Sequence, residues 1–104
     1  KYAVKSGPVL NDATMEDAIA SGLDASTELI ETGSNGPGTI LHQCTPYFNE
    51  LMNKAPLILA KGQANFETLE NLPYSNLYLT FKTKFAIIAR HLNLPTNHLV
   101  LIHA

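Results

Sequence analysis

The sequence predicts an α/β fold with a mostly parallel sheet, and three observations support that prediction. Apolar runs of strand length alternate with segments whose apolar residues recur at spacings of three and four. The chain has 104 residues and is 45% hydrophobic, so it can bury one modest core. No linker, internal repeat or low-complexity tract interrupts the alternation. This order favours helices on both faces of the sheet, in a single domain portion over residues 1–104.

Five short apolar runs have the composition of strands. They are Tyr2–Val4, Glu28–Ile30, Leu57–Ala60, Leu77–Phe81 and Leu99–Ile102.

Three segments have the pattern of helices. Thr14–Ser21 is predicted to end at Gly22, a residue suited to the left-handed conformation that follows many helices. Gly38–Lys54 carries an apolar stripe that includes Cys44, which we expect to be a small core residue on a helix. Thr83–Leu92 repeats the stripe and is closed by the turn sequence NLPTN.

Composition excludes several classes of function. The formal net charge is −2 and the seven basic residues form no long run, so nucleic acid is not an expected partner. A single cysteine allows no internal disulfide, and no apolar run approaches the roughly 20 residues that span a bilayer. We expect a soluble, cytoplasmic protein without membrane contact. Because the chain opens inside a predicted strand and without methionine, we also expect the remainder of its own polypeptide to be a partner.

The first junction between a predicted strand and a helix reads VKSGPVLNDATMEDA. Asn11, Asp12 and Thr14 precede the helix, where such residues are preferred as N-caps. Asp12 could instead offer an oxygen ligand to a divalent cation, since Mg²⁺ or Mn²⁺ commonly takes one or two carboxylates plus substrate phosphate. Both interpretations are open from the residues alone.

The second junction, ETGSNGPGTILHQ, is rich in glycine. Pro37 is expected near the first turn of the next helix, and a helix N-terminus suits an anion. Turns also require glycine, so the loop by itself does not define a site. It matches neither a Walker A motif nor a dinucleotide fingerprint.

The third junction reads AKGQANFETL, where a buried strand ends in a lysine. Lysine is rarely buried unpaired, so Lys61 should reach the sheet edge at which open α/β sheets bind ligands. It could supply a point charge to a phosphate, or it could be a solvated lysine beside the turn residue Gly62. Asn65 could hydrogen-bond a ligand or cap the next short helix.

Two further lysines, Lys82 and Lys84, follow the strand Leu77–Phe81 and would lie near the same edge of a parallel sheet. The alternative is that one is solvated and the other extends along the helix. The four histidines have no spacing typical of a zinc site, and we interpret them as surface or structural residues.

Four ordered motifs resemble the carboxyl-terminal part of one family. They are GPVLNDATMEDA, TGSNGPGTIL, LAKGQANFETL and FKTKFAIIARHLNLP, and they cover nearly the whole chain. The family is the damage-control phosphatases, formerly domain-of-unknown-function family 89. The resemblance implies a metal-dependent phosphatase acting on sugar phosphates or related phosphometabolites. It also implies a three-layer α/β/α sandwich with a mostly parallel, Rossmann-like sheet, of which this chain is a carboxyl-terminal portion.

The resemblance also assigns residues. Asp12 of NDAT becomes a ligand of the catalytic divalent metal, which would be Mn²⁺, Co²⁺, Ni²⁺ or Mg²⁺. Lys61 of KGQANF becomes a catalytic residue that binds the substrate phosphate, with Gly62 and Asn65 in the same pocket wall. Lys84 is a further substrate-binding residue without a firm role.

Two features depart from the family pattern. The family also uses an Asp-Asn pair upstream of NDAT, before the first residue of this chain, and Asn35 stands where an acidic residue is expected. We therefore expect metal-assisted hydrolysis of a small-molecule phosphate ester by the full-length protein, and no activity from this piece alone. The alternatives are a non-catalytic phosphometabolite-binding module and a carboxyl methyltransferase, although the sequence has no recognisable methyl-donor motif.

Overall fold

The computed structural model describes all 104 residues and confirms the α/β class. The chain forms two compact units, Lys1–Met52 and Asn53–Ala104. The strands are β1 (Tyr2–Val4), β2 (Leu29–Glu31), β3 (Ile58–Lys61), β4 (Leu77–Lys82) and β5 (Leu99–His103). The helices are α1 (Met15–Ala20), α2 (Pro46–Lys54), α3 (Gln63–Leu69) and α4 (Ala86–His91), with short 3-10 helices at Leu23–Ala25 and Leu41–Gln43.

The first unit contains a parallel pair of strands, β1 and β2, in which Val4 lies opposite Glu31. The pairing continues past the strand ends, because the Thr32 amide donates to the Val4 carbonyl oxygen at 2.9 Å. The buried apolar residues of this unit are Val4, Val9, Ala18, Phe48 and Met52. The ends of both strands therefore lead into loops at the same edge of this small sheet.

Helix α1 is capped by Thr14. The Thr14 hydroxyl accepts a hydrogen bond from the Asp17 amide at 3.4 Å, and the Asp17 carboxylate accepts one from the Thr14 amide at 3.0 Å. The backbone and side-chain bonds from Thr14 hold the pKa of the Asp17 carboxyl below its usual range. The helix ends at Ala20 with Ser21 as its C-cap, and Gly22 follows with a φ of 81°, as the sequence predicts.

The predicted helix over Gly38–Lys54 is wrong in its first half, because α2 begins only at Pro46. Proline has no amide to donate and restricts the residue before it, so it suits the first position of a helix and not its interior. Thr45 supports this start, since its hydroxyl accepts from the Phe48 amide at 3.1 Å. Cys44 therefore lies outside the helix, in extended backbone after a 3-10 turn, and is half-buried.

The second unit contains a three-stranded sheet with β4 at its centre. β3 pairs with β4 in parallel, with Lys61 opposite Thr80. The two units thus carry separate sheets of two and three strands. The sequence pattern predicts the strands but does not divide them between two sheets.

Strand β5 runs antiparallel to β4, an exception to the parallel pattern that the alternation predicts. Helix α4 has six residues, and the chain after it returns to the end of β4 from which the connection started. There the Thr83 amide donates to the His98 carbonyl oxygen at 2.9 Å, and the Thr83 hydroxyl donates to the Pro95 carbonyl oxygen at 2.8 Å. These bonds hold the start of β5 beside the end of β4, so β5 runs antiparallel to β4.

The core of the second unit lies on one face of its sheet. Leu77, Leu79 and Phe81 alternate along β4 and are buried. The Phe66 ring of α3 packs on the Phe81 ring, with centroids 4.7 Å apart. The His91 ring of α4 lies 6.3 Å from the Phe66 ring, so both helices of this unit belong to that face.

The opposite face of the same sheet is open in this chain. Leu59 and Leu101 lie beside Tyr78 and Thr80 in the strand register and are 65% and 68% exposed. Within this unit the helices therefore cover one face, and the three-layer arrangement stays a prediction. No helix of the chain has the length and apolar composition needed to cross a membrane.

Candidate functional site

In the first unit, the loops after β1 and β2 are bound to each other. The Ser6 amide donates to the Ser34 carbonyl oxygen at 2.9 Å, and the Gly33 amide donates to the Ser6 hydroxyl at 2.7 Å. A Cβ atom at Gly7 would lie 3.1 Å from the Cβ atom of Asn35. The residues SGP and TGSNG therefore form one packed loop cluster at the ends of the two parallel strands.

The glycine-rich loop after β2 has a structural explanation. Gly33 adopts a φ of 91°, and a Cβ atom there would lie 2.5 Å from a side-chain carbon of Thr45 and 2.8 Å from its backbone nitrogen. The Ser34 amide donates to the Thr32 hydroxyl at 3.2 Å, and the Gly36 amide donates to the Ser34 hydroxyl at 3.0 Å. These amides have partners within the protein, and no α-helix begins at Pro37, so the expected helix N-terminus for an anion is absent from this loop.

Lys5 adjoins this loop cluster and was not among the predicted site residues. It directly follows β1, and its ammonium donates to the carbonyl oxygen of Gly38. Burial lowers the pKa of Lys5, while Asp12 and Cys44 lie close enough to act in the opposite direction. The signal for Lys5 was present in the sequence, since the lysine after strand YAV repeats the lysine that ends strand LILA.

Asp12 lies in the loop between β1 and α1 and is exposed. Its amide donates to the Val9 carbonyl oxygen at 2.8 Å, which closes a turn in which Leu10 adopts a φ of 48°. Because Thr14 caps α1, the alternative interpretation of Asp12 as the helix cap is wrong. The Asp12 carboxylate lies close enough to Lys5 to act against the effect of burial on the pKa of that lysine.

The chain contains no cluster of typical metal-ligating side chains. No group of three or more histidine, cysteine, aspartate or glutamate side chains lies close enough to bind an ion. A divalent cation in a phosphate site commonly uses one or two carboxylates together with substrate oxygens and water. Asp12 carries a carboxylate of the kind such a site uses, and its assignment as a metal ligand stays a prediction.

In the second unit, Lys61 is the last residue of β3 and is exposed. Gly62 follows with a φ of 109° and directly precedes α3, at its N-cap position. The side-chain amide of Asn65 donates to the Lys61 carbonyl oxygen at 2.7 Å, and the Gly62 amide donates to the Thr80 carbonyl oxygen at 2.8 Å. Asn65 thus lies within α3, and its side chain holds the backbone of Lys61 in place. This structural role differs from the two that the sequence suggested, binding a ligand and capping the helix.

Lys84 is exposed and follows β4, at the edge of the sheet where β3 also ends. Its backbone amide donates to the side-chain oxygen of Gln63 at 2.8 Å. The structure therefore brings together four of the predicted site residues, Lys61, Gly62, Asn65 and Lys84, in the second unit. The fifth, Asp12, belongs to the first unit.

Comparison with known proteins identifies the family. A family model described as the damage-control phosphatase ARMT1-like domain matches residues 1–100. The chain belongs to the damage-control phosphatase family. This confirms the resemblance on which the sequence-based site assignments rest.

Individual damage-control phosphatases agree with this result. The damage-control phosphatase PH1575 of Pyrococcus horikoshii is 42% identical over 98 residues, which cover 94% of this chain and 34% of that protein. A damage-control phosphatase of Archaeoglobus fulgidus is 29% identical over 98 residues, again 34% of its length. The crystal structure of a DUF89 family protein, PH1575, matches 97% of this chain and 35% of that one, with a TM-score of 0.90 and 40% identity. The chain thus spans about a third of the length of its relatives.

Proposed function

We propose that this chain is the carboxyl-terminal part of a larger phosphatase domain that hydrolyses phosphate monoesters of sugar phosphates or related phosphometabolites. One observation carries the proposal. In a member of the damage-control phosphatase family, an exposed lysine ends a parallel strand, and hydrogen bonds from Asn65 and Gly62 fix the backbone around it. Ligands of open α/β sheets bind at this end of the strands.

In this proposal, Lys61 binds the phosphate of the substrate. Its ammonium offsets negative charge on the phosphoryl oxygens, and the contact accelerates hydrolysis if it strengthens as charge shifts in the transition state. Lys84 adds a second positive charge in the same unit. Gly62 lets the backbone turn directly after the lysine, since its φ of 109° would strain any other residue.

Asp12 supplies one oxygen ligand to a divalent metal ion in the same proposal. Such a metal would polarise the phosphate and lower the pKa of a bound water molecule. The remaining ligands, including an Asp-Asn pair, come from the rest of the protein. A further layer of that protein also covers the open face of the second sheet, which completes the three-layer sandwich.

The test is a phosphatase assay of the full-length protein on a panel of sugar phosphates, with and without EDTA. We expect activity that EDTA abolishes and that Mn²⁺, Co²⁺, Ni²⁺ or Mg²⁺ restores. Asp12→Asn should remove metal-dependent turnover without lowering thermal stability, because Asp12 caps no helix. Asp24→Asn is the matched control, since Asp24 is also an exposed aspartate of the first unit. Activity that resists chelation, or equal activity of the two variants, would refute the metal role of Asp12.

A further inference from the structure

Gln63 is a buried polar residue of the second unit. It lies at the junction between Lys61 and α3. It is 7% exposed and is the first residue of the helix. Its side-chain oxygen accepts the hydrogen bond from the Lys84 amide at 2.8 Å, and its side-chain nitrogen donates to the Glu67 carboxylate at 3.3 Å. A buried amide with both ends bonded holds its neighbours in fixed positions.

The contacts of Gln63 connect two segments that are far apart in sequence. Gln63 stands two residues after Lys61, whereas its acceptor oxygen binds the backbone of Lys84, which follows the neighbouring strand. Thr83, the residue before Lys84, is completely buried and hydrogen-bonded to His98 and Pro95. The Lys84 backbone is therefore fixed from one side by Thr83 and from the other by Gln63.

We infer that Gln63 is a positioning residue that sets Lys84 relative to Lys61, so that both ammonium groups contact one phosphate. The inference rests on the proposed function, which assigns both lysines to the phosphate. Gln63 itself binds no substrate in this account. Gln63 affects phosphate affinity by holding the Lys84 backbone in place. Its substitution should therefore have little effect in a variant that lacks the Lys84 ammonium.

The experiment measures competitive inhibition of the full-length enzyme by inorganic phosphate, together with KM and kcat. Gln63→Met keeps the length of the side chain and removes its hydrogen bonds. We expect the inhibition constant and KM to rise about three- to tenfold, as for the loss of one buried hydrogen bond. In a Lys84→Met background the same substitution should change the inhibition constant less than about twofold, because coupled residues are not additive.

Glu67→Gln is the matched control. It alters the partner of the Gln63 nitrogen and leaves the bond between the Gln63 oxygen and the Lys84 amide intact, so phosphate inhibition should stay at the wild-type value. If Gln63→Met does not fold, Gln63→Asn serves in its place, because the shorter amide cannot reach the Lys84 backbone. Amide hydrogen exchange at Lys84 should be faster in either variant.

The outcomes distinguish the positioning role of Gln63 from the proposed phosphate site at Lys61 and Lys84. If Lys61→Met and Lys84→Met weaken phosphate inhibition but Gln63→Met does not, the inference is overturned and the proposed phosphate site stands. An equal effect of Gln63→Met with and without Lys84 also overturns the inference, since Gln63 would then act by another route. If neither lysine variant alters phosphate inhibition, the proposed phosphate site fails and the role of Gln63 fails with it.

Discussion

Two lysines lie at the ends of parallel strands, each after a short apolar run and just before a glycine: YAVKSG in the first unit and LILAKG in the second. Their surroundings differ. The Lys5 ammonium is part-buried and donates to the Gly38 carbonyl oxygen, and its burial lowers its pKa. The Lys61 ammonium is exposed, and the neighbouring Asn65 binds the Lys61 backbone oxygen instead.

The difference comes from the segment that follows each strand. After β1 the chain enters a long loop that packs against the glycine-rich loop after β2, and this second loop provides an acceptor for Lys5. After β3 the chain turns at once into α3, which leaves the lysine side chain outside the packed core. A lysine at a strand end therefore marks the edge of a sheet, and the next segment decides whether its charge is bound internally or can meet a ligand.

The largest effect in this comparison is expected from two glycines: Gly33, in the loop that packs against the Lys5 segment, and Gly62, directly after Lys61. Gly33→Ala should destabilise the protein by about 2–6 kcal/mol, because it combines backbone strain at positive φ with a clash against Thr45. Gly62→Ala should cost about 1–3 kcal/mol from strain alone, since a Cβ atom there meets nothing within 4 Å. Urea unfolding of the variants measures the difference, and equal losses would contradict the role of the Thr45 contact.

The next largest effect is expected on enzymatic activity, from the substitution of Lys61. Lys61→Met should lower kcat/KM of the full-length enzyme by about 10- to 150-fold, the equivalent of one charge-assisted hydrogen bond of about 1.5–3 kcal/mol. Methionine keeps most of the aliphatic stem, so the thermal midpoint should change little. Unchanged kcat, KM and phosphate inhibition would return Lys61 to the interpretation of a solvated lysine at a strand end.

The smallest effect is expected on stability, from the substitution of Lys5. Lys5→Met should lower the free energy of unfolding by about 1 kcal/mol, because the hydrogen bond to the Gly38 carbonyl oxygen is lost while a part-buried charge is also removed. Chemical unfolding of Lys5→Met and Lys61→Met under the same conditions provides the comparison. A larger stability loss for Lys61→Met than for Lys5→Met would reverse the assignment of the two residues.

The strands and short helices were largely predictable because local composition determines them. β1 was predicted to the residue, and β3 and β4 to within one residue at each end, since apolar runs and their flanking turns are read directly. The start of α2 was not predicted correctly, because the apolar stripe continues on both sides of Pro46 and gives no sign of the helix boundary. The direction of β5 depends on where the chain returns to Thr83 after α4, and the periodicity of the sequence does not reveal these hydrogen bonds.

The candidate site divides in a similar way. The predicted junctions between strands and helices, together with the family resemblance, supplied Asp12, Lys61, Gly62, Asn65 and Lys84 as candidates. The partners of these residues came only from the structure, because Gln63 and Lys5 act through long-range contacts. A polar residue in a short helix, such as Gln63, gives no signal in composition that distinguishes a buried hydrogen bond from a solvated side chain.

Residues 84–97 connect β4 to β5, and Thr83 holds the two ends of this connection together. This arrangement affects how the length of the connection can vary. The Thr83 amide and hydroxyl hold the two ends of the excursion together through His98 and Pro95, independently of the path between them. The entropy of closing a loop rises only slowly with its length. We therefore expect an insertion around residues 92–94 to leave the register of β5 on β4 unchanged. Length variation at that point is compatible with an unchanged sheet.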